Sequence, residues 1–151
     1  MNIILYQFIM NIRRLQLEDF ERGYLHLLNY LTHVGNGNYI TRFDEIERLY
    51  PYLQIWVMLD EDKDEIIGNA TLLIEPKFIH ECSRVGHIED VVVDPRYQGK
   101  GLGKLLVEKL KQVSKDEGCY KVILDCSEKN RTFYEKCGFE NKNLQMSYYF
   151  K

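Results

Sequence analysis

Proline is scarce in this sequence, three residues in 151, and no long apolar run goes unbroken. The scarcity leaves no room for a proline-rich linker or a collagen-like repeat. A membrane span is not expected either. The most apolar stretch, MNIILYQFIM, is interrupted by Asn2 and Gln7, and a bilayer demands about 20 apolar residues. The same stretch lacks a basic flank and a small-residue cleavage site, so no secretory leader is expected, and Met10 offers an alternative start. Cys82, Cys119, Cys126 and Cys137 form no C-x-x-C pair and no cluster with histidine, which argues against a zinc site and for reduced thiols in a cytoplasmic protein. No sign of charge dominates. A formal net charge of −3 does not suit a nucleic-acid partner, which needs a broad basic face. It leaves open a local basic pocket for a small anion. The acidic run from Asp60 to Glu65 reads as a solvated turn rather than a metal site. Internal repeats and low-complexity tracts are also missing. A single domain over 1–151 is therefore expected, long enough to bury a substantial core.

What is present is a regular alternation of strand and helix patterns. Residues 12–15 read as a short strand. Phe20, Tyr24, Leu27, Leu28 and Leu31 recur at helical spacing, with Gly35 and Gly37 as the stop. A second short helix fits 43–50, closed before Pro51. Residues 55–59 and 66–74 read as a hairpin around the acidic turn. A valine-rich strand at 86–93 ends at Asp94-Pro95. Leu102, Leu105, Leu106, Leu110 and Val113 then mark an amphipathic helix that stops at Gly118. A strand at 121–126, a short helix at 130–136 and an alternating strand through Leu144, Met146, Tyr148 and Phe150 complete the chain. This order predicts an α/β (α+β) fold, a mixed sheet with helices on its faces.

The most specific local signal is Gln98-Gly99-Lys100-Gly101-Leu102-Gly103-Lys104, set between a strand and a helix. Glycine removes the side chain where a ligand must approach the backbone, and successive N–H groups in such a turn form a nest for an anion. The following helix directs its positive end to the same place. A diphosphate is the natural occupant. The loop cannot be written as G-x-x-x-x-G-K-[ST], and no dinucleotide-binding βαβ unit surrounds it. Taken alone, it also fits an ordinary glycine-rich helix start.

Read together, the strand, Asp94-Pro95, the glycine loop and the amphipathic helix resemble the pyrophosphate signature of the GNAT acetyltransferases, Arg/Gln-x-x-Gly-x-Gly/Ala. Gln98, Gly101 and Gly103 match it. GHIEDVVV at 86–93, GCYKVILDCSEKN at 118–130 and FYEKCGF at 133–139 are similar to the glucosamine-6-phosphate N-acetyltransferase family. Thinner similarity reaches upstream through Leu31 to Gly35 and Lys77 to His80.

The resemblance implies a mostly antiparallel sheet splayed around acetyl-CoA, no metal, and a homodimer with shared active sites. It implies acetyl transfer to the 2-amino group of D-glucosamine 6-phosphate, a step that feeds UDP-N-acetylglucosamine synthesis. It also implies the site residues. Val91, Val92 and Val93 would offer backbone to the thioester. Gln98, Gly99, Lys100, Gly101, Leu102, Gly103, Lys104 and Asn130 would hold the cofactor. Tyr134 would be the acid beside the sulfur and Asp125 would lie near the amine. Thr32, Lys77, Phe78, Ile79, His80, Glu89, Asp90, Val91, Tyr120 and Lys121 would surround the sugar phosphate.

Each of these has a plainer reading. Tyr134 is one of eleven tyrosines and by itself fits a packing aromatic. Asp125 could cap a turn, and Thr32 could cap the end of its helix. His80 and His87 fit ordinary polar positions. Glu89 and Asp90, in contrast, are costly inside an apolar strand without partners. The reaction places modest demands on a base, because an amine with a pKa near 8 is already about a tenth neutral at pH 7. The alternatives are a GNAT enzyme acting on a protein amine or another small amine, and a non-catalytic acyl-CoA-binding module. Two departures from the family stand out: the stretch 37–55 is short, and Tyr149 stands where an arginine helps hold the phosphate. Lys77, Lys121 and Lys151 are the candidate substitutes.

Overall fold

The computed structural model describes residues 10–150; the apolar opening at 1–9 and Lys151 lie outside them. The elements are β1 (Met10–Arg14), a 3-10 turn (Leu17–Phe20), α1 (Tyr24–Leu28), α2 (Tyr39–Leu49), β2 (Leu53–Asp60) and β3 (Glu65–Pro76). A short turn (Ile79–Cys82) leads into β4 (Arg84–Val93), followed by a 3-10 turn (Pro95–Tyr97), α3 (Leu102–Asp116), β5 (Cys119–Ile123) and α4 (Glu128–Lys136). The strands lie in the order β1-β2-β3-β4-β5. The first four pair antiparallel, and β4 pairs parallel with β5. A parallel neighbour requires a crossover, and α3 provides it.

Helices cover both faces of the sheet. α3 buries Leu102, Leu106, Val107 and Leu110, its 3.6-residue stripe, against Met58, Ile67, Leu72, Ile74 and Ile88. Each fully buried leucine contributes about 1.5–3 kcal/mol. The opposite face carries a smaller core, in which Tyr24 and Leu27 of α1 meet Leu15, Val57, Leu59, Ile66 and Val92.

Four features differ from the sequence pattern. The helix expected from Phe20 to Leu31 is cut at Gly23 (φ 85°), which leaves a 3-10 turn and the short α1. α2 starts at Tyr39 rather than 43, because the Asn38 side chain accepts the Thr41 backbone N–H at 3.1 Å. The acidic turn is not wholly solvated. Asp60 is 4% exposed and accepts the backbone N–H groups of Asp62 and Lys63 and, at 2.6 Å, the Tyr97 hydroxyl. The expected C-terminal strand is also not formed within the described chain, since residues 141–150 pair with no strand. Leu144, Met146, Tyr148, Tyr149 and Phe150 are exposed. Alternation marks a segment that suits a sheet, but it does not supply an edge to pair with.

Candidate active site

The site begins where β4 and β5 part. Their pairing runs from Arg84↔Cys119 to His87↔Ile123. β5 ends at Ile123 whereas β4 continues to Val93, so β4 has an unpaired edge beyond His87 among the described residues. Inside this stretch the β3–β4 ladder is irregular: Thr71 faces Glu89 and Asn69 faces Val92. Asp90 therefore bulges, with φ 50°. Val92 and Val93 are buried on opposite faces, and Val91 is half-buried against the α3-side core.

The glycine loop closes the end of this opening. Asp94 accepts the Arg96 backbone N–H at 2.8 Å and is held below the usual carboxylate range, chiefly by the Arg96 guanidinium. Gly99 and Gly101 take φ values of 75° and 81°, with open space where a Cβ would stand. α3 begins directly after them, so the backbone N–H groups of the loop and a helix N-terminus stand side by side, the arrangement that suits an anion. Gly103 differs, because it already belongs to α3 and its Cβ would lie 3.2 Å from the Phe133 ring. Gln98 donates to the Val93 carbonyl at 3.0 Å, tying the loop to β4, and the Leu102 side chain is core. Lys100 lies with its ammonium 5.0 Å from the centre of the Tyr97 ring, and Lys104 is exposed on the first turn of α3. The loop residues fit a diphosphate through backbone and helix end rather than through apolar side chains.

Beside the opening, Tyr134 of α4 packs edge-on to Phe133 and Phe139, with ring centres 4.9 and 6.1 Å away. Burial, followed by Cys126, Cys137 and Glu89, pushes its phenol up to about 12. Glu89 is also raised, first by desolvation and then by Asp125 and Asp90. Asp125 and Asp90 thus both sit close enough to repel the Glu89 carboxylate, an arrangement that a cationic amine relieves. Asn130 lies in the first turn of α4, its backbone N–H held by the Ser127 carbonyl at 2.9 Å.

The remaining candidate residues lie elsewhere. Lys77, Phe78, Ile79 and His80 occupy the loop before β4, where Phe78 is 97% exposed and the His80 ring sits 4.2 Å from that of Tyr120. Lys77 is paired with Glu75, whose other oxygen meets His87 Nε2 at 2.8 Å. Lys121 is opposite Val85 on β5, exposed, with its ammonium 5.5 Å from the centre of the Tyr120 ring. Thr32 is exposed after α1, its N–H bonded to the Leu28 carbonyl at 3.2 Å. From the start of β4 to Val91 is about 23 Å of extended chain. Within one chain, the Lys77–His80 loop and Tyr120 are therefore at the other end of β4 from the glycine loop.

Two residues that organise the site escaped the motif reading. Asn69 is fully buried and donates to the Asp90 carbonyl at 2.8 Å. Tyr97 anchors the start of the glycine loop to Asp60. The available signal for the first was a lone carboxamide inside IIGNATLLI, where burial requires a partner.

Comparison with known proteins agrees with this geometry. The model of the acetyltransferase (GNAT) family matches residues 10–139. Glucosamine 6-phosphate N-acetyltransferase of Arabidopsis thaliana is 46% identical over 142 residues, covering 92% of this chain and 95% of that protein. Glucosamine 6-phosphate N-acetyltransferase 1 of Dictyostelium discoideum is 43% identical, covering 92% and 90% respectively. The crystal structure of the Arabidopsis thaliana enzyme superposes with a TM-score of 0.89, covering 94% of this chain and 99% of that one. The chain belongs to the GNAT acetyltransferase family, and within it to the glucosamine 6-phosphate N-acetyltransferases.

Proposed function

We propose that this chain transfers the acetyl group of acetyl-CoA to the 2-amino group of D-glucosamine 6-phosphate, giving N-acetyl-D-glucosamine 6-phosphate and CoA. The observation that carries the reading is the unpaired edge of β4 beyond His87, with the glycine loop at its end. Bound there, acetyl-CoA supplies the thioester carbonyl that the amine attacks. The loop from Gln98 to Lys104 holds the pyrophosphate, with Asn130 as a further contact. The backbone of Val91–Val93 meets negative charge developing on the thioester oxygen.

Asp125, with Glu89 and Asp90, attracts and orients the substrate amine. No strong base is required, since the neutral amine is already present at about a tenth of the total. Counted from the neutral amine, the nitrogen releases one proton and the sulfur gains one; the proton that the ammonium form sheds beforehand goes to solvent. Tyr134 donates a hydrogen bond to the departing sulfur. A phenol near 12 stays protonated at neutral pH and suits that part.

The rest of the reading concerns the assembly. We infer a single domain over the whole chain that works as a homodimer with shared sites, in which Thr32, Lys77, Phe78, Ile79, His80, Tyr120 and Lys121 serve the partner's sugar phosphate. The edge of β5, free among the described residues, and the exposed alternating segment at 141–150 support it. Lys121 is the principal phosphate contact, because Lys77 is engaged with Glu75 and Tyr149 carries no charge to pair with a phosphate. The four free thiols suit a reducing, cytoplasmic setting.

Release of CoA from acetyl-CoA, measured with glucosamine 6-phosphate, glucosamine and a lysine peptide, tests the assignment. A strong preference for the phosphorylated sugar is expected. Equal kcat/KM for the phosphorylated and free sugars would remove the sugar-phosphate assignment and leave an acetyltransferase of broader acceptor range.

A further inference from the structure

Asn69 stands in the middle of β3 with 0% of its surface exposed. Its neighbours in the ladder are Val57 on one side and Val92 on the other, both part of the apolar core beneath α1. The carboxamide nitrogen donates to the Asp90 carbonyl at 2.8 Å, and that bond fixes which end of the amide is which. The oxygen, Oδ1, is buried and has no hydrogen-bond partner among the described residues. A buried amide with an unmet acceptor weakens a fold, and an apolar residue of similar size in this position would not.

The one bond Asn69 does make is to the irregular point of the sheet. Pairing passes from Thr71↔Glu89 to Asn69↔Val92, so Asp90 and Val91 together oppose Ala70. Asp90 has φ 50°, a left-handed conformation that a residue with a side chain holds only when its surroundings enforce it. A bulge also removes a carbonyl from the regular ladder, and that carbonyl then needs another donor. Asn69 is that donor. Immediately after the bulge comes the β4 edge, Val91–Val93, that faces the opening.

We propose that Asn69 is a positioning residue for acetyl transfer. By holding the Asp90 carbonyl it sets the bulge, and the bulge aims the backbone of Val91–Val93 at the thioester oxygen. The proposal rests on the reading of Val91–Val93 given above. It accounts for two features that folding alone opposes: a left-handed aspartate in a strand, and a buried amide with one end unsatisfied.

The test uses two substitutions of nearly the same shape, Asn69→Val and Asn69→Thr, of which only threonine carries a donor. Both residues suit a strand. With glucosamine 6-phosphate as acceptor, Asn69→Val is expected to lower kcat at least tenfold, the scale of a lost charge-stabilising contact, roughly 10²-fold when a donor is removed outright. The KM for each substrate and the calorimetric Kd for CoA should stay within about twofold. The melting temperature of Asn69→Val should stay near that of the parent, because the loss of the unsatisfied oxygen offsets the loss of the donor to the Asp90 carbonyl. Asn69→Thr should recover a measurable part of the lost kcat. Equal kcat for the two variants would overturn the proposal, as would a kcat loss that merely follows loss of folded protein or of CoA affinity. Amide spectra of the parent separate this from the underlying reading. The N–H signals of Val91–Val93 should shift more with acetyl-CoA than with CoA. If they do not, the strand is not the thioester's donor, and both readings fall. If they do, while kcat survives in Asn69→Val, only the role of Asn69 falls.

Discussion

At the scale of single residues, the proposed chemistry is divided between a tyrosine kept neutral and a carboxylate crowded by its acidic neighbours. Tyr134 is half-buried with its phenol pushed up to about 12, so it can donate to sulfur at any pH the enzyme meets. Tyr134→Phe keeps the ring packed against Phe133 and Phe139 and removes only the donor. Its kcat is expected to fall about 10²-fold or more, with KM little changed. A loss confined to KM would make Tyr134 a binding residue. Because the phenol does not ionise below about pH 10, any basic limb in the parent pH profile should persist in the variant. Glu89 carries the opposite lesson. Its proton is held more tightly in the folded protein than in the unfolded chain, through burial and the nearness of Asp125 and Asp90. That contribution to stability is complete below the unfolded pKa of about 4.3 and is lost as pH rises through the higher folded value. Glu89→Gln is therefore expected to raise the melting temperature at pH 7, by a margin that vanishes below about pH 4. It should also weaken the reaction, since on the proposed reading the amine loses part of its anionic cradle. A lower melting temperature at pH 7 would mean that the Glu89 carboxylate is paired rather than repelled.

At the scale of elements, the glycine loop and α3 act as one unit, and this unit was the most legible part of the sequence. The loop declares itself by residue type, and α3 by five apolar residues at helical spacing with Gly118 as the stop. The separate duties of the glycines were not legible. Gly99 and Gly101 serve backbone conformation, whereas Gly103 serves packing: a Cβ there would lie 3.2 Å from the Phe133 ring. Gly103→Val should accordingly weaken acetyl-CoA binding at least tenfold by pushing α4 from the end of α3, a displacement in the 1–3 kcal/mol range of overpacking. Phe133→Ala in the same chain should restore part of the affinity by calorimetry. No restoration would assign the defect to the pyrophosphate itself. Other elements were misread for identifiable reasons. The period from Phe20 to Leu31 is helical, but Gly23 adopts a left-handed conformation and divides it. The acidic run looked uniformly solvated, yet Asp60 turns inward to the Tyr97 hydroxyl, a contact between segments 37 residues apart that no local pattern encodes. Alternation at 144–150 reads as a strand, and the described residues form none there; a strand also needs an edge, which alternation does not supply.

At the scale of the whole molecule, the outstanding fact is that the candidate residues fall into two groups. Glu89, Asp90, Asp125, Tyr134 and the glycine loop gather at the end where β4 and β5 part. Lys77 to His80 and Tyr120 lie towards the start of the same strands, with the exposed Lys121 one residue further along β5. About 23 Å of extended strand separates the loop before β4 from Val91, more than a sugar phosphate spans. The proposed homodimer would resolve the difficulty, because a two-fold axis can bring the start of β4 in one copy to the opening in the other. On the proposed reading Lys121 meets, as a point charge, a phosphate of nearly two negative charges, so Lys121→Ala should raise the KM for glucosamine 6-phosphate by about one to two powers of ten, the worth of one charge-assisted hydrogen bond. The weak reaction with glucosamine should be nearly unchanged. Mixing decides whether the two groups meet across an interface. At substrate concentrations where chains carrying Tyr134→Phe and chains carrying Lys121→Ala are each nearly inactive, the two are exchanged under mild denaturant and returned to buffer. In random pairing half the dimers are mixed, and a mixed dimer holds one site with both residues intact. Activity should therefore recover to about a quarter of the parent value. If each site draws Tyr134 and Lys121 from the same chain, no mixed dimer contains an intact site and activity stays at the level of the separate variants. Light scattering on the same samples supplies the control: a fully active monomer in the parent protein would exclude the shared site outright.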